Sequence, residues 1–461
     1  MTNDYLSFLE SKRHSIGNFG FNAKYFPEIA FDFQKMIIDK SIKKGRIAVF
    51  ADTGLGKTLI QLAIANNIIQ QTNKRVLILT PLAVAFQFIL EAEKIGIDDI
   101  EYSKDGKFTK NIVICNYERL HYFNENDFIG VILDESSILK NFDGAIKNKI
   151  TSFIKKVPYR FLSTATPSPN DYIELGTSSE ALGYLGYTDM LTRFFKNNNG
   201  NNIKSSRIVL ANAGNDWYLK PHAEINFWQW VSQWAISIRK PSDLGFSDER
   251  YILPNLLEKY TTVTNENPLT IDGQTLLFNF PAISFREIKA ETRATINKRC
   301  EKAVELSNDH EITVHWVNLN DEAKIIKELD RSCIEINGGM DIDKKEDILY
   351  SFSKGDIKKL ITKTSITAFG LNWQHCNHTT YFPTYSYEQY YQAIRRFWRF
   401  GQKRDVTVDL VLSDGQTKIM ESLQVKKQKA NDMFTKLSEN VNSIYEVQKK
   451  EFTKQIIKPN F

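Results

Sequence analysis

A glycine-rich stretch near the start of the chain, ADTGLGKT at 51 to 58, has the residue types of a phosphate-binding loop. It follows the apolar run RIAVF and precedes the helical run LIQLAIANNII, the context that such a loop requires. Its glycines would let the backbone approach phosphates, and amides at the start of the following helix would bind them. Lys57 would supply a cation to the β and γ phosphates, and Thr58 would hold a magnesium ion. The predicted phosphate contacts are Asp52, Thr53, Gly54, Leu55, Gly56, Lys57 and Thr58.

Two adjacent acids, Asp134 and Glu135, follow the apolar run GVIL. Open parallel sheets place their ligands at the carboxyl ends of the strands, which is where these acids would lie. Asp134 would position the magnesium shell, and Glu135 would orient and deprotonate an attacking water, because hydrolysis needs a base beside a metal-neutralised γ-phosphate. The acids and the upstream loop together predict hydrolysis of ATP with Mg²⁺.

A second group of chemically capable residues lies in QAIRRFWRFGQ at 392 to 402. Arg396 and Arg399 are three residues apart and share one helical face, so two guanidinium groups could reach the γ-phosphate together. An arginine finger is typically worth about a thousandfold or more in rate. Because these arginines lie far along the chain from the phosphate loop, hydrolysis would depend on closure of two separate lobes.

Two series of short apolar runs alternate with helical patterns and must position these residues. The first series lies at 46 to 50, 75 to 80, 111 to 115, 130 to 134 and 160 to 164; the second lies at 312 to 317, 333 to 336, 359 to 363, 379 to 382 and 406 to 412. This rhythm is typical of parallel sheets covered by helices on both faces. The sequence therefore predicts an α/β protein with two parallel-sheet lobes.

The predicted domain order follows from where this rhythm stops and resumes. Residues 1–178 form the ATP-binding lobe, 179–295 a mainly helical, Trp-rich insertion, 296–415 the second lobe and 416–461 a Lys-rich helical tail. In the insertion, Phe227, Trp228, Val231 and Trp234 recur at helical spacing. We expect them to bury one face of a helix; a platform for stacking nucleic-acid bases is the alternative.

Composition excludes several protein classes. With 461 residues, the chain exceeds what one hydrophobic core usually serves, and its 42% hydrophobic and 25% charged residues argue against a disordered or fibrous protein. The four cysteines form no CxxC pair, which argues against a disulfide framework and a structural zinc. We find no apolar run of membrane-spanning length and no signal peptide, so the prediction is a cytoplasmic protein without a membrane partner. The net charge of +5 decides little about nucleic acid.

From about 25 to 425, the chain resembles the superfamily 2 helicases and, within them, the Swi/Snf-related ATPases, especially small phage and prokaryotic members. The motifs that carry this resemblance are AFDFQ at 30 to 34, the phosphate loop, DESS at 134 to 137, STATPSPN at 163 to 170, KTSITAFGLNWQ at 363 to 374 and QAIRRFWRFGQ. The last is the most diagnostic. Ala51, Ser137, Thr367 and Ala368 depart from the family pattern.

The resemblance implies that the two lobes are RecA-like and of the P-loop NTPase class, and it implies further site residues. Gln34 would read the adenine edge, and Gly370 and Gln392 would contact the nucleotide. DNA would be bound across both lobes, mainly through its phosphates. The residues matching the family's DNA path are Pro81, Asn116, Thr364 and Asn372.

These observations together predict an ATP-dependent DNA helicase or translocase acting in phage or prokaryotic DNA replication or recombination, in the host cytoplasm if phage-encoded. Fork or bubble DNA and a replication or nuclease partner protein would be its partners. Two alternatives stay open: a duplex translocase that remodels complexes without separating strands, and an ATP-gated clamp that recruits a partner such as a nuclease.

Overall fold

The fold is taken from a computed structural model. It describes residues 17–82, 84–140, 144–168, 171–197, 217–249, 251–264, 270–271, 274–275, 285–367 and 371–456. None of the helices in these ranges is long and apolar enough to cross a membrane.

The first lobe is built on a seven-stranded parallel sheet in the order β3-β4-β2-β5-β6-β1-β9. Its strands are β1 (Arg46–Ala51), β2 (Val76–Thr80), β3 (Ile100–Tyr102), β4 (Ile112–Asn116), β5 (Gly130–Asp134), β6 (Tyr159–Thr164) and β9 (Ala235–Ile238). Its helices are α1 (Asp32–Lys44), α2 (Lys57–Thr72), α3 (Ala85–Lys94), α4 (Ala145–Ile154), α5 (Leu175–Leu182), α6 (Tyr187–Phe194) and α7 (Glu224–Trp234). The strands β2, β4 and β5 are buried along their whole length, which explains their continuous apolar sequences.

The second lobe is built on a six-stranded parallel sheet in the order β10-β17-β16-β13-β15-β14. Its strands are β10 (Leu256–Val263), β13 (Thr313–Trp316), β14 (Ile334–Ile336), β15 (Lys359–Thr362), β16 (His378–Tyr381) and β17 (Val406–Ser413). The helices that follow in the chain are α8 (Phe285–Ala294), α9 (Ile296–Ser307), α10 (Asn320–Leu329), α11 (Ile342–Lys354), α12 (Thr364–Thr367), α13 (Tyr387–Ile394) and α14 (Thr417–Ile456). The predicted fold class, two RecA-like α/β lobes, is confirmed.

The segment predicted as an insertion contributes to both sheets. Strand β9 pairs with β1 at the edge of the first sheet, and β10 pairs with β17 at the edge of the second. The four aromatic and apolar residues of α7 predicted to share one face are buried in the first lobe's core. Two small antiparallel ribbons, β7 (Phe195–Asn197) with β8 (Trp217–Leu219) and β11 (Thr270–Ile271) with β12 (Gln274–Thr275), also lie in this segment. We therefore propose a first lobe that extends to about 244 and a second that begins near 255.

The long C-terminal helix α14, which we call the strap helix, packs against both lobes. Ile419 and Leu423 are buried in the core of the second lobe. Met433, Phe434 and Leu437 are buried in the core of the first lobe, against α7 and β9. The apolar face of this Lys-rich segment thus bridges the two domains.

Candidate active site between the lobes

The phosphate loop runs from the end of β1 into the first turn of α2. Gly54 and Gly56 have φ values of +89° and +78°, a region that side chains other than glycine rarely adopt. A Cβ on Gly56 would lie 2.2 Å from Nε2 of Gln34. Lys57 begins α2 and donates from Nζ to the carbonyl of Ala51 at 3.0 Å. The left-handed glycines and the start of α2 at Lys57 are the local features on which the prediction depends, and phosphate binding by this loop stays a prediction.

Gln34 on helix α1 is hydrogen-bonded to the phosphate loop. Its Nε2 donates to the Leu55 carbonyl at 3.0 Å, and its Oε1 accepts from the Phe31 amide at 2.9 Å. The side chain is buried, with 4% of the residue exposed. The amide is thus committed to holding the loop, and adenine recognition by Gln34 stays a prediction.

The acid pair lies opposite Lys57 at the carboxyl end of β5. Asp134 Oδ1 accepts from Gln61 Nε2 on α2 at 2.7 Å. Burial, with a further contribution from the neighbouring Glu135 carboxylate, raises the pKa of Asp134 to about 6. Burial also lowers the pKa of Lys57, against the opposing effect of both acids. Lys57 and the two acids are thus buried charges that interact electrostatically with one another. Such arrangements are common at sites where catalysis requires shifted pKa values.

Glu135 has a strained backbone, with φ at +50°. Non-glycine residues in this region cost roughly 1–2 kcal/mol and concentrate at functional sites. The Thr164 hydroxyl donates to Glu135 Oε2 at 3.3 Å, and the Thr166 amide donates to that same hydroxyl at 3.1 Å. The end of β6 therefore fixes the orientation of the Glu135 carboxylate.

The two predicted finger arginines belong to the second lobe and are held there by hydrogen bonds. Arg396 is buried, and its Nη1 donates to the Leu371 carbonyl at 2.8 Å. Arg399 donates to the same carbonyl at 3.3 Å. Burial lowers the pKa of Arg396 to about 9 and that of Arg399 to about 10, and the Glu135 carboxylate opposes both shifts. Both arginines therefore lie near enough to the acid pair for the carboxylate charges to affect their pKa values.

Gln392 joins the two lobes at the centre of the site. Its Nε2 donates to the Thr166 hydroxyl at 3.1 Å, and its Oε1 accepts from Arg396 Nη2 at 3.0 Å. Both ends of the amide are used within the protein, and contact of Gln392 with the nucleotide stays a prediction. A chain of hydrogen bonds thus runs from Glu135 through the threonines at the end of β6 to Gln392 and Arg396.

Sequence reasoning missed Arg395, whose side chain points away from those of its neighbouring arginines. It pairs with Asp52 of the phosphate loop, and the Tyr391 hydroxyl donates to the same carboxylate. Tyr391 and Arg395 are four residues apart, so the helical spacing that united Arg396 with Arg399 could have indicated this second face.

A cavity of about 540 Å³ adjoins the phosphate loop. Asp52 and Leu55 line it from the first lobe, Arg395 and Phe400 from the second, and Phe434 from the strap helix. This volume is within the range of small-molecule sites in proteins. The cavity is large enough to receive the part of a nucleotide that extends beyond the phosphates.

The residues predicted to contact DNA do not form one open surface. Asn116 is fully buried, and its Nδ2 donates to Tyr102 and to Glu346 of the second lobe at 2.6 and 3.1 Å. Thr364 is also buried, while Pro81 and Asn372 are half-buried. The buried position of Asn116 results from contact between the lobes, which its own sequence environment does not predict. Gly370 lies outside the described residues.

The residues present fit a magnesium ion held together with nucleotide phosphates. Magnesium prefers oxygen ligands and is commonly bound by one or two carboxylates plus substrate phosphates. Asp134 supplies a carboxylate held by Gln61, and Thr58 lies in the first turn of α2 beside the phosphate loop. Among the residues that the structure describes, no group of three or more His, Cys, Asp or Glu side chains is arranged to hold a metal ion alone.

Two family models match the chain in the order of its two lobes. The model of the DEAD/DEAH box helicase matches residues 31–175, and the model of the helicase conserved C-terminal domain matches residues 295–401. Together they cover more than half of the chain. The chain belongs to the superfamily 2 helicases. The first match of this helicase contains the phosphate loop and the acid pair, and the second contains Arg396 and Arg399.

Among solved structures, the chain is similar to the Sulfolobus solfataricus SWI2/SNF2 ATPase core in complex with dsDNA. The sequence identity is 18% and the TM-score is 0.39, over 95% of this chain and 99% of that chain. No curated protein matches the chain.

Proposed function

We propose that this superfamily 2 helicase is a Swi/Snf-related, DNA-stimulated ATPase that couples ATP hydrolysis in the cleft to movement along DNA. The observation that carries the proposal is the chain of hydrogen bonds that links Glu135 of one lobe, through Thr164 and Thr166, to Gln392 and Arg396 of the other. Such a site is complete only when the lobes are closed, so turnover alternates with relative motion of the lobes.

Each proposed catalytic residue acts through a position that the fold fixes. Lys57 and the left-handed glycines bind the β and γ phosphates of ATP. Glu135, oriented by Thr164, accepts a proton from the attacking water. Arg396 and Arg399 neutralise charge on the departing γ-phosphate. A magnesium ion, when held by Asp134 and Thr58, supplies further neutralisation of phosphate charge.

DNA as the track is supported by the sequence motifs that resemble those of Swi/Snf-related ATPases. Because the expected contacts are mainly to phosphates, sequence preference should be weak. Assignment to replication or recombination in a phage or prokaryote is supported by the sequence resemblance alone.

The test is steady-state ATP hydrolysis without nucleic acid and then with single-stranded, duplex, forked or bubble DNA, with RNA as the control. Stimulation by one form of DNA identifies the motor and its track. Displacement of a labelled strand then separates a helicase from a duplex translocase. ATP binding without stimulated turnover would contradict the proposal and favour an ATP-gated clamp.

A further inference from the structure

Helix α13 and the residue that follows it touch three separate segments of the first lobe's site. At its first turn, Glu388 pairs with Lys140, and beyond its last residue Arg395 pairs with Asp52. Between these two ion pairs lies the Gln392 hydrogen bond described above. One short helix is therefore fastened at both ends to the lobe that carries the phosphate loop.

The Lys140–Glu388 pair connects α13 to the segment directly after the acid pair. Lys140 is the last residue of the 3-10 helix Ser136–Lys140, which follows Glu135. The Glu388 side chain is 3% exposed, and its Oε1 is buried without a hydrogen-bond partner. Burial lowers the pKa of Lys140, with the nearby Glu174 opposing the shift. The buried Glu388 carboxylate is therefore paired with Lys140, a residue of the other lobe.

The Asp52–Arg395 pair makes the same connection at the other end of the helix. The Asp52 carboxylate accepts from the Thr53 amide at 2.6 Å, so it also shapes the turn of the phosphate loop. The Arg395 guanidinium lies over the Trp398 ring at 4.5 Å and is nearly buried. Its planar group is held between the aromatic ring and the carboxylate, which fixes its direction.

We infer that these two ion pairs position the finger arginines, and that Lys140, Glu388 and Arg395 are positioning residues for the proposed ATP hydrolysis. Arg396 follows Arg395 directly and bonds to Gln392, which bonds to Thr166 of the first lobe, so the placement of Arg396 depends on where α13 is fastened. Removing one partner of a buried ion pair leaves an uncompensated charge and favours separation of the groups around it. Loss of either pair should therefore weaken closure, and slow turnover, without weakening the phosphate contacts of Lys57.

The first test replaces Glu388 and then exchanges the two charges. In Glu388→Gln, we expect kcat to fall about tenfold or more while the dissociation constant of ATP changes less than about twofold. In the double variant Lys140→Glu with Glu388→Lys, the pair is restored with opposite polarity, and we expect kcat to recover most of the loss. A merely structural role would instead make kcat follow the melting temperature in both variants, so we measure the two together.

A matched control removes a similar ion pair within the second lobe. Asp330 and Lys359 pair at 2.7 Å, and both side chains are 16% exposed. Asp330→Asn should lower the melting temperature and leave kcat unchanged, since this pair does not cross the cleft. A loss of kcat in this control equal to that in Glu388→Gln would overturn the inference.

Closure itself is measured by energy transfer between dyes on Asn148→Cys and Asp356→Cys, which are exposed positions in the two lobes. The four natural cysteines are buried, so the added thiols are labelled selectively. ATP should close the parent protein and close Glu388→Gln less. If the parent closes but does not hydrolyse ATP, the proposed function fails, while reduced closure of Glu388→Gln still shows that the ion pair holds the lobes together. If Glu388→Gln closes fully, the positioning inference fails whatever the turnover.

Discussion

Gly54→Ala should slow ATP turnover by preventing the second lobe from reaching the phosphate loop. A Cβ on Gly54 would lie 2.7 Å from the backbone nitrogen of Phe400 and 2.8 Å from its Cβ. Ordinary contacts begin near 3.4 Å, so the second lobe would have to retreat by about 0.7 Å. Overpacking costs about 1–3 kcal/mol, which lowers the closure equilibrium by about 5- to 160-fold.

A second cost in Gly54→Ala acts on stability alone. The φ of +89° at this position disfavours alanine whether the lobes are open or closed, so this strain cancels from the closure equilibrium. Gly96→Ala is the matched control, because its φ is +69° and nothing lies within 4 Å of the added Cβ. Both variants should lose roughly 1–2 kcal/mol of stability from the backbone.

The assay compares kcat, ATP affinity and thermal unfolding in the two variants. We expect Gly96→Ala to retain its kcat and Gly54→Ala to lose it while still binding a fluorescent ATP analogue. Equal kcat in both variants would refute the reasoning, since the contact between Gly54 and Phe400 would then play no part in turnover. Loss of nucleotide binding in Gly54→Ala would instead place the obstruction at the phosphates.

Glu135→Gln should bind ATP but not hydrolyse it, because the amide cannot accept the proton of water; normal turnover, measured by phosphate release, would contradict this role. Arg399→Ala should reduce the kcat of DNA-stimulated hydrolysis far more than it reduces ATP affinity. The test measures kcat and the dissociation constant of ATP separately in this variant and in the parent. The four cysteines should not react with a thiol reagent until the protein is denatured, because they are buried and burial raises the pKa of each to about 12. Burial lowers the pKa of His315 from 6.5 to about 3, so as the pH falls the unfolded chain takes up a proton at this residue before the folded chain does. Stability should therefore fall as the pH drops below about 6.5, and His315→Gln should flatten this dependence in urea titrations.

The parts of the site that depend on local sequence could be predicted without a structure. The phosphate loop requires glycines, a lysine and a hydroxyl at fixed spacing between a strand and a helix, and all of these are local features. Gly54 and Gly56 have the left-handed backbone that this role demands. The acid pair is likewise recognisable because it ends an apolar strand.

Features that depend on the relative placement of the lobes could not be predicted. Arg395 and Arg396 are adjacent and chemically identical, and only the orientation of α13 against the first lobe decides which one meets Asp52 and which lies near Glu135. From its sequence environment Asn116 is expected at the surface, and the structure shows it hydrogen-bonded to Glu346 of the other lobe. Strand β9 is also ambiguous, since four residues are too few to show a period.

The strap helix changes the kind of motion that is open to the second lobe. The lobe is connected to the first by the segment between β9 and β10 and again, at a different place, by the apolar anchors of α14. A domain attached at one point can rotate about any axis, whereas a domain attached at two separated points rotates about the line that joins them. While the strap helix stays docked, we expect the cleft to open by a hinge rotation about this line. Each closing rotation would then return the second lobe to the same position on the first.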